Sequence, residues 1–210
     1  MPKLSLPGKW LMNSPQRALA ERYYVAPLLE RLGGRIVGDN VLEVGCGCGV
    51  GVEIILNRFG ASTVHALDFD DRQVALAQRR LLPFDPERIN LHVGDAARLA
   101  FPDEIFDAVF DFGAIHQIAD WPSAVGEVSR VLKPGGRFYF EEIAWVPLRM
   151  LMRYFVEEYE SLESNPFTAA KFLSELVRRG FEVQGRWVTR RVLSVTTGVV
   201  GDLIGVAARL

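Results

Sequence analysis

The stretch from Val41 to Gly51, which reads VLEVGCGCGVG, constrains the fold of this chain more than any other segment. Apolar residues and one acid, Glu43, precede a run of alternating glycines, and this pattern predicts a buried strand at 40–44 that enters a sharply bent loop. Glycine lacks Cβ, so its backbone adopts positive φ and approaches neighbouring groups closely. The next residues predict a helix over 50–58. A strand, a glycine loop and a helix in this order are typical of nucleotide-binding sites.

Predicted strands and helices alternate over the first two thirds of the chain, which favours a parallel sheet with helices on both faces. Further strands are predicted at 63–67, 89–93, 106–110 and 137–141, and helices at 15–32, 71–82 and 122–132. Lys133 to Gly136 is predicted to form a tight turn. Downstream, the spacing predicts an amphipathic helix over 147–162 and another helix over 168–179. The last thirty residues are typical of two strands, which predicts an antiparallel pair at the sheet edge.

Size and composition indicate one domain with its own core. The chain has 210 residues, of which 49% are hydrophobic, and its net charge is −2 with acids and bases well mixed. This balance argues against nucleic-acid binding, which needs a basic face, and a local group of arginines within 178–191 is interpreted as a solvated surface. No run of about 18 apolar residues is present, so no membrane insertion is predicted.

The two cysteines, Cys46 and Cys48, lie one residue apart within the glycine loop. Neighbours this close rarely meet disulfide geometry, and the three scattered histidines do not complete a metal site with them. We interpret both cysteines as small, buried and reduced, which indicates a cytoplasmic protein. The N-terminal residues have no long apolar core, so no signal peptide is predicted.

Two families with glycine-rich nucleotide loops do not fit this sequence. A dinucleotide-binding loop has the pattern G-x-G-x-x-G or A, whereas Val50 and Val52 occupy the sixth positions counted from Gly45 and Gly47. A nicotinamide-dependent enzyme is therefore disfavoured. A phosphate loop ends in Gly-Lys-Ser/Thr, and the chain has no lysine between positions 9 and 133.

Five motifs, in sequence order over about Val41 to Glu142, resemble those of the class I S-adenosylmethionine-dependent methyltransferases. They are the loop at 43–49, Asp68 after the second strand, Gly94-Asp95-Ala96, the strand at 106–110, and 130–136. The resemblance implies a doubly wound, Rossmann-like α/β fold with a seven-stranded, mostly parallel sheet, an antiparallel last strand, helices on both faces and a small helical cap. It also implies S-adenosylmethionine as the cofactor and S-adenosylhomocysteine as its product.

The resemblance assigns cofactor contacts position by position. Glu43 would orient the loop near the cofactor's amino group, Asp68 would accept hydrogen bonds from the ribose hydroxyls, and Asp95 would accept from the adenine amine. The other implied contacts are Gly45, Cys46, Gly47, Gly49, Phe69, Ala96 and Asp111. From the residues alone, Asp68 and Asp95 could instead cap following helices, and Phe69 could belong to the core.

The segment from Asp111 to Gln117 is the candidate for catalysis and substrate binding. His116 is a candidate general base because its unperturbed pKa lies near neutrality; the alternative is a buried, hydrogen-bonded histidine. Family members that methylate amino groups of nucleic acids have Asn/Asp-Pro-Pro-aromatic here, so that activity is disfavoured. The candidate substrate residues are Gln117, Trp145, Met150 and Tyr154.

The predicted organisation is one methyltransferase domain at 1–210. It comprises an N-terminal helical lid at 1–36, a cofactor-binding core at 37–142, a substrate cap at 143–166, and a C-terminal helix and strands at 167–210. The predicted function is transfer of the methyl group of S-adenosylmethionine to a small, partly hydrophobic molecule by in-line displacement. The alternatives are a non-catalytic, S-adenosylmethionine-binding regulatory protein and methylation of a macromolecule. The sequence leaves the acceptor and the oligomeric state open.

Overall fold

A computed structural model describes residues 10, 12–36, 39–145, 167–194 and 198–210, with the backbone alone at 143–145, 189–194 and 198–202. The strands are β1 (Asn40–Val44), β2 (Thr63–Asp68), β3 (Ile89–Val93), β4 (Phe106–Phe112), β5 (Leu132–Trp145), β6 (Phe181–Ser194) and β7 (Gly198–Arg209). The α-helices are α1 (Pro15–Ala20), α2 (Ala26–Gly33), α3 (Val50–Ile54), α4 (Asp71–Leu81), α5 (Trp121–Val131) and α6 (Ala169–Arg178). Glu21–Val25 and Ile55–Phe59 are π-helical, and Pro86–Arg88 and Ile115–Gln117 are 3₁₀-helical.

Within the described ranges the strands form one seven-stranded sheet in the order β3-β2-β1-β4-β5-β7-β6. Strands β3, β2, β1, β4 and β5 run parallel to one another. Strand β7 is antiparallel to both β5 and β6. The chain order reverses between β1 and β4, as in doubly wound folds. The predicted α/β class and the antiparallel last strand are confirmed.

Apolar clusters cover both faces of the sheet. On one face the rings of Phe59, Phe110 and Tyr139 pack together, with the Phe110 and Tyr139 centroids 4.4 Å apart. On the other face Phe140 packs against Phe172 of α6, at a centroid distance of 5.2 Å. Successive side chains of a strand point to opposite faces, so neighbouring residues at the ends of β4 and β5 take part in different clusters.

Strand β4 is longer than predicted. It ends at Phe112 rather than at residue 110, so Asp111 lies inside the strand and pairs with Val44 of β1. The prediction that the strand ends before Asp111 is wrong because pairing with β1 and β5 continues through these two residues. The side chain of Asp111 is therefore fixed by the sheet rather than by a loop.

The predicted turn at Lys133 to Gly136 lies inside β5. Leu132 pairs with Phe106, and the next paired residue of β5, Arg137, lies opposite Ala108. The prediction of a strand that starts only at residue 137 is wrong, because the extra residues form a bulge that the ladder accommodates. Gly135 supplies the positive φ, 76°, that this bulge contains.

The predicted helix over 147–162 lies outside the described residues. The predicted helices over 15–32 and 50–58 are present; the first contains a π-helical stretch at Glu21–Val25 and the second ends in one at Ile55–Phe59. None of the helices that the structure describes combines the length and the apolar character needed to cross a bilayer.

His65 of β2 and His92 of β3 form a pair that the sequence does not reveal. Nδ1 of His65 lies 3.2 Å from Nε2 of His92, and the rings stack with centroids 5.5 Å apart. The ring of Phe101 packs edge-on against both. Burial lowers the pKa of both histidines, and the charge of His92 lowers that of His65 further. The native pair is therefore neutral at neutral pH.

We predict that this pair contributes to a loss of stability between about pH 7 and pH 5. A histidine with a lowered native pKa binds fewer protons than in the unfolded chain, so its contribution is lost as pH falls below the unfolded value of about 6.5. The variant His92→Gln removes one titrating group, and it also removes the charge that lowers the pKa of His65. Urea titrations at both pH values should show a smaller loss of unfolding free energy for the variant, and equal losses would contradict this assignment.

Candidate active site

The glycine loop lies where the carboxyl ends of β1, β2 and β4 meet, at the reversal of strand order. Gly45, Gly47 and Gly49 adopt φ values of 71°, 51° and 87°. A Cβ added at Gly45 would lie 2.2 Å from Cβ of Ala114, in the segment after β4. A side chain at this position would therefore push the two segments apart. Open parallel sheets bind their ligands at such a reversal.

Glu43 is buried beneath the glycine loop, and its carboxylate fills the space next to Gly51. A Cβ added at Gly51 would lie 1.8 Å from Oε1 of Glu43. Burial is the main cause that raises the pKa of Glu43 well above its usual value, and the charges of Glu21, Asp68 and Asp111 add to it. Among the described residues Oε2 has no hydrogen-bond partner. A buried acceptor in this state is unfavourable, so a donor to this oxygen would stabilise the site.

Asp68, at the end of β2, holds the glycine loop in place. Its Oδ2 accepts the backbone N–H of Gly47 at 3.0 Å, and its Oδ1 accepts the backbone N–H of Asp70 at 2.9 Å. The cap of α4 is Asp70, whose side chain accepts the N–H of Arg72. A carboxylate oxygen accepts more than one hydrogen bond, so Asp68 can serve the loop and a ligand together.

The predicted adenine contacts Asp95 and Ala96 follow β3, the strand that pairs with β2. Asp95 follows β3, and its Oδ1 accepts the N–H of Ala97 at 2.9 Å, which closes a turn rather than capping a helix. Ala96 is buried in the apolar cluster that contains Leu67. Phe69, which follows Asp68 in the sequence, is partly buried.

Asp111, Glu142 and His116 form a buried cluster at the ends of β4 and β5. Oδ1 of Asp111 accepts the N–H of Ala114 at 2.8 Å. Oε1 of Glu142 accepts the backbone N–H of His116 at 3.1 Å, and Oε2 contacts Nδ1 of the same imidazole. Sequence reasoning missed Glu142, although a carboxylate at the end of a central strand was a readable signal.

Burial dominates the pKa values of this cluster. It raises the pKa of Asp111 well above its usual value, with Glu142 as the second cause. It raises the pKa of Glu142 to about 7 and lowers that of His116 to about 4. The imidazole is therefore neutral at pH 7 and can accept a proton.

A second charged cluster, formed by Arg17, Glu21 and Glu141, joins α1 to the opposite face of the sheet. Arg17 donates to both carboxylate oxygens of Glu141, at 2.8 and 2.6 Å, and to the carbonyl oxygen of Phe112 at 3.1 Å. Its Nε lies 2.7 Å from Oε1 of Glu21. Burial raises the pKa of Glu21 to about 7. Sequence reasoning missed this contact, because 124 positions separate Arg17 from Glu141.

Of the four predicted substrate residues, the structure describes the side chain of Gln117 and the backbone of Trp145. Gln117 follows His116 and donates from Nε2 to the carbonyl oxygen of Gly113 at 2.8 Å. Trp145 ends β5, where the backbone alone is described. Met150 and Tyr154 lie outside the described residues. The glycine loop, Asp68, Asp111 and His116 do share the carboxyl edge of the sheet.

Comparisons with known proteins match this architecture. Residues 42–140 match the model of a family described as "Methyltransferase domain". A Mycolicibacterium smegmatis protein named "Probable S-adenosylmethionine-dependent methyltransferase" is 33% identical over 160 residues, which is 74% of this chain and 56% of that protein. Fatty-acid O-methyltransferase of the same organism is 35% identical over 107 residues, 51% of this chain and 38% of that protein. The chain thus spans about half or less of the length of these relatives.

Solved structures share the fold. An S-adenosylmethionine-dependent methyltransferase from Mesorhizobium loti superposes with a TM-score of 0.67 at 20% identity, covering 87% of this chain and 96% of that chain. Geranyl diphosphate C-methyltransferase from Streptomyces coelicolor A3(2) gives 0.69 at 18% identity, with 88% and 76% covered. At these identities the likeness confirms the Rossmann-like sheet.

We predict that Arg17→Met lowers the free energy of unfolding by about 3 kcal/mol, because it leaves the buried Glu141 carboxylate without its partner. Chemical denaturation measures the change. The double variant Arg17→Met/Glu141→Leu should lose less than the sum of the two single variants, since it removes both charges. The control is Arg22→Met, which breaks the more exposed pair with Glu53 and should change stability by less than about 1 kcal/mol. Additive losses in the double variant would contradict the coupling.

Proposed function

Because the chain belongs to the class I S-adenosylmethionine-dependent methyltransferases, we propose that it transfers the methyl group of S-adenosylmethionine to a small, partly hydrophobic molecule. The observation that carries this proposal is the sheet edge where the glycine loop, Asp68 and the His116 segment meet. The family match at 42–140 spans that edge. The relatives are longer than the part of them that this chain covers, so the activity and the acceptor are both part of the proposal.

The described residues fit the cofactor. The unpartnered Oε2 of Glu43 supports a cationic donor nearby, as the cofactor's amino group would be. Asp68 offers carboxylate oxygens at the tip of β2 for the ribose hydroxyls, and Asp95 lies one strand further out for the adenine amine. We propose Gly45, Cys46, Gly47 and Gly49 as the backbone surface beneath the ligand, with Phe69, Ala96 and Asp111 around it. S-adenosylmethionine supplies an activated methyl group on a sulfonium centre.

The remaining work of the chain is to position the acceptor in line with that methyl group and exclude water. For well-oriented reacting atoms, correct positioning supplies on the order of 7–11 kcal/mol of barrier reduction. His116 is neutral at pH 7 because burial lowers its pKa to about 4. We propose it as the base for an acceptor that loses a proton, with Gln117, Trp145, Met150 and Tyr154 as substrate contacts.

Two observations favour a partly hydrophobic small molecule as the acceptor. Phe167 packs edge-on near His116 at a centroid distance of 6.1 Å, and Trp121 packs on Phe167 at 5.4 Å. Among the relatives, one is named as acting on fatty acids, and a Tropheryma whipplei relative, 30% identical, is a demethylmenaquinone methyltransferase. Both names describe poorly soluble substrates.

We propose that 1–36 acts as a lid and 143–166 as a substrate cap around the core at 37–142. The contact of Arg17 with Glu141 supports the lid role, since it fixes α1 beside the ends of β4 and β5. The buried, unpaired thiols of Cys46 and Cys48 support a reducing, cytoplasmic location.

We predict that Asp68→Ala weakens binding of S-adenosylhomocysteine by about 10- to 100-fold, because the ribose hydroxyls lose a charged acceptor and the loop loses its anchor at Gly47. Isothermal titration calorimetry measures the affinity. The control Asp71→Ala removes an exposed acid three residues away, at the start of α4, and should bind as the wild type does. Equal affinity of Asp68→Ala and wild type would contradict the assignment.

We predict that His116→Ala lowers the rate of methyl transfer by about 100-fold, while the affinity for the cofactor changes little. The assay follows radiolabelled methyl from S-adenosylmethionine into a fatty acid, a naphthoquinol and a cell extract. His92→Gln, on the edge strand β3, serves as the control and should keep the wild-type rate. An unchanged rate in His116→Ala would contradict the base role. Wild-type protein that binds the cofactor but labels none of the acceptors would contradict the enzymatic function.

A further inference from the structure

Two adjacent glutamates at the end of β5 face opposite sides of the sheet. Glu141 pairs with Phe112 in the ladder and binds Arg17 on the face of the N-terminal helix. Glu142 is fully buried on the other face, where it meets His116. Alternation of strand side chains requires this division. Glu141 therefore has an ion-pair partner in Arg17, whereas His116 is the one basic side chain that contacts Glu142 among the described residues.

Glu142 is surrounded by hydrogen-bond donors. Its Oε1 accepts the backbone N–H of His116, and its Oε2 contacts Nδ1 of the same residue. Hydrogen bonding from Asp111 and from the backbone N–H groups of His116 and Ile115 lowers the pKa of Glu142, against the larger effect of burial. An ionised carboxylate accepts about four hydrogen bonds and donates none. The number and kind of these partners match an ionised Glu142.

Asp111 completes the cluster as the protonated member. Its Oδ1 accepts the N–H of Ala114, while Oδ2 is buried without any donor in the described residues. Two buried carboxyl groups in contact do not both ionise. A proton on Oδ2 satisfies that oxygen and provides the hydrogen bond to Glu142. Burial and the neighbouring Glu142 raise the pKa of Asp111, in agreement with this arrangement.

We propose that Asp111, Glu142 and His116 form a preformed hydrogen-bond chain, in which a protonated Asp111 donates to an ionised Glu142. Glu142 in turn fixes His116 as the Nδ1–H tautomer. Glu142 is then a positioning residue, and the lone pair of Nε2 is the basic atom of the site. The two ring nitrogens of a histidine are set in this way by the hydrogen bond that one of them makes. Only the use of Nε2 rests on the proposed methyl transfer.

The proton balance follows from this arrangement. For a hydroxyl acceptor, the oxygen–carbon bond to the methyl group forms, the electron pair of the carbon–sulfur bond goes to sulfur, and the hydroxyl proton goes to Nε2 of His116. The resulting imidazolium lies against ionised Glu142. The charges of three other groups act on the pKa of His116: Asp111 raises it, Arg17 lowers it and Glu141 raises it. Glu142 supplies the compensating charge at hydrogen-bond distance.

The test is ¹⁵N nuclear magnetic resonance of histidine-labelled protein, without cofactor or acceptor, at pH 8. His116 is assigned by the signal that the variant His116→Asn lacks. In the wild type, Nδ1 of His116 should carry the proton and Nε2 should not. In Glu142→Gln the side chain has one oxygen for two N–H donors, so the Nδ1–H form should lose its dominance. The matched control Glu141→Gln should leave the tautomer unchanged.

A conservative variant of Asp111 separates this hydrogen-bond chain from a merely structural role of the three residues. Asp111→Asn can accept from Ala114 and donate to Glu142, as a protonated Asp111 does, so it should keep both the tautomer and the melting temperature. Asp111→Leu should lose the Nδ1–H signal. An Nε2–H tautomer in the wild type, an unchanged tautomer in folded Glu142→Gln, or a changed one in Asp111→Asn would overturn the proposal. Because no ligand is present, failure here and failure of cofactor binding are distinguishable.

Discussion

The parallel pairing of β1 with β4 at the reversal of strand order is the constraint on which the rest of the structure depends. It places Asp111 opposite Val44, and it brings Ala114 so close to Gly45 that neither segment has room for a larger residue at position 45. The glycine loop and the segment that holds His116 therefore form two walls of one cleft. Cofactor binding and acceptor chemistry depend on the same backbone contact.

The sheet also separates two electrostatic tasks. On one face Arg17 ties the N-terminal helix to Glu141 and neutralises a carboxylate that would otherwise be buried alone. On the other face no arginine of the described residues pairs with Glu142 or Asp111, and burial raises the pKa of both carboxyl groups, that of Glu142 to about 7. An ion pair that is already satisfied stabilises a fold, whereas carboxyl groups with shifted pKa values can exchange protons with a substrate.

Local patterns in the sequence predicted most of the frame. The bounds of β1 and β3 are as predicted, because apolar runs between turn residues specify strands directly. The strand–loop–helix unit at the glycines and the antiparallel C-terminal pair also follow from short-range signals. Gly135 and Gly136 favour a tight turn and a bulge alike. Only the pairing of β5 with β4 shows that the segment is a bulge inside the strand.

The parts that sequence reasoning missed arise from contacts between distant residues. The partnership of Arg17 with Glu141 and that of His65 with His92 depend on which strands and helices are neighbours in space. The role of Glu142 depends in addition on which face of β5 it occupies, and a strand predicted to end at residue 141 left that face undefined. The position of the site in the fold was therefore predictable from the sequence, whereas the contacts among its charged side chains were not.

The central claim is that the bend after β1 and the carboxylate at the tip of β2 form a cradle for an adenosyl ligand. A crystal structure of the protein grown with S-adenosylhomocysteine tests it most directly. The account predicts the ribose hydroxyls at Asp68 and the amino group beside Glu43. Crystals in which the ligand lies elsewhere, or in which the protein's own side chains fill the cleft between Gly45 and Asp68, would contradict it.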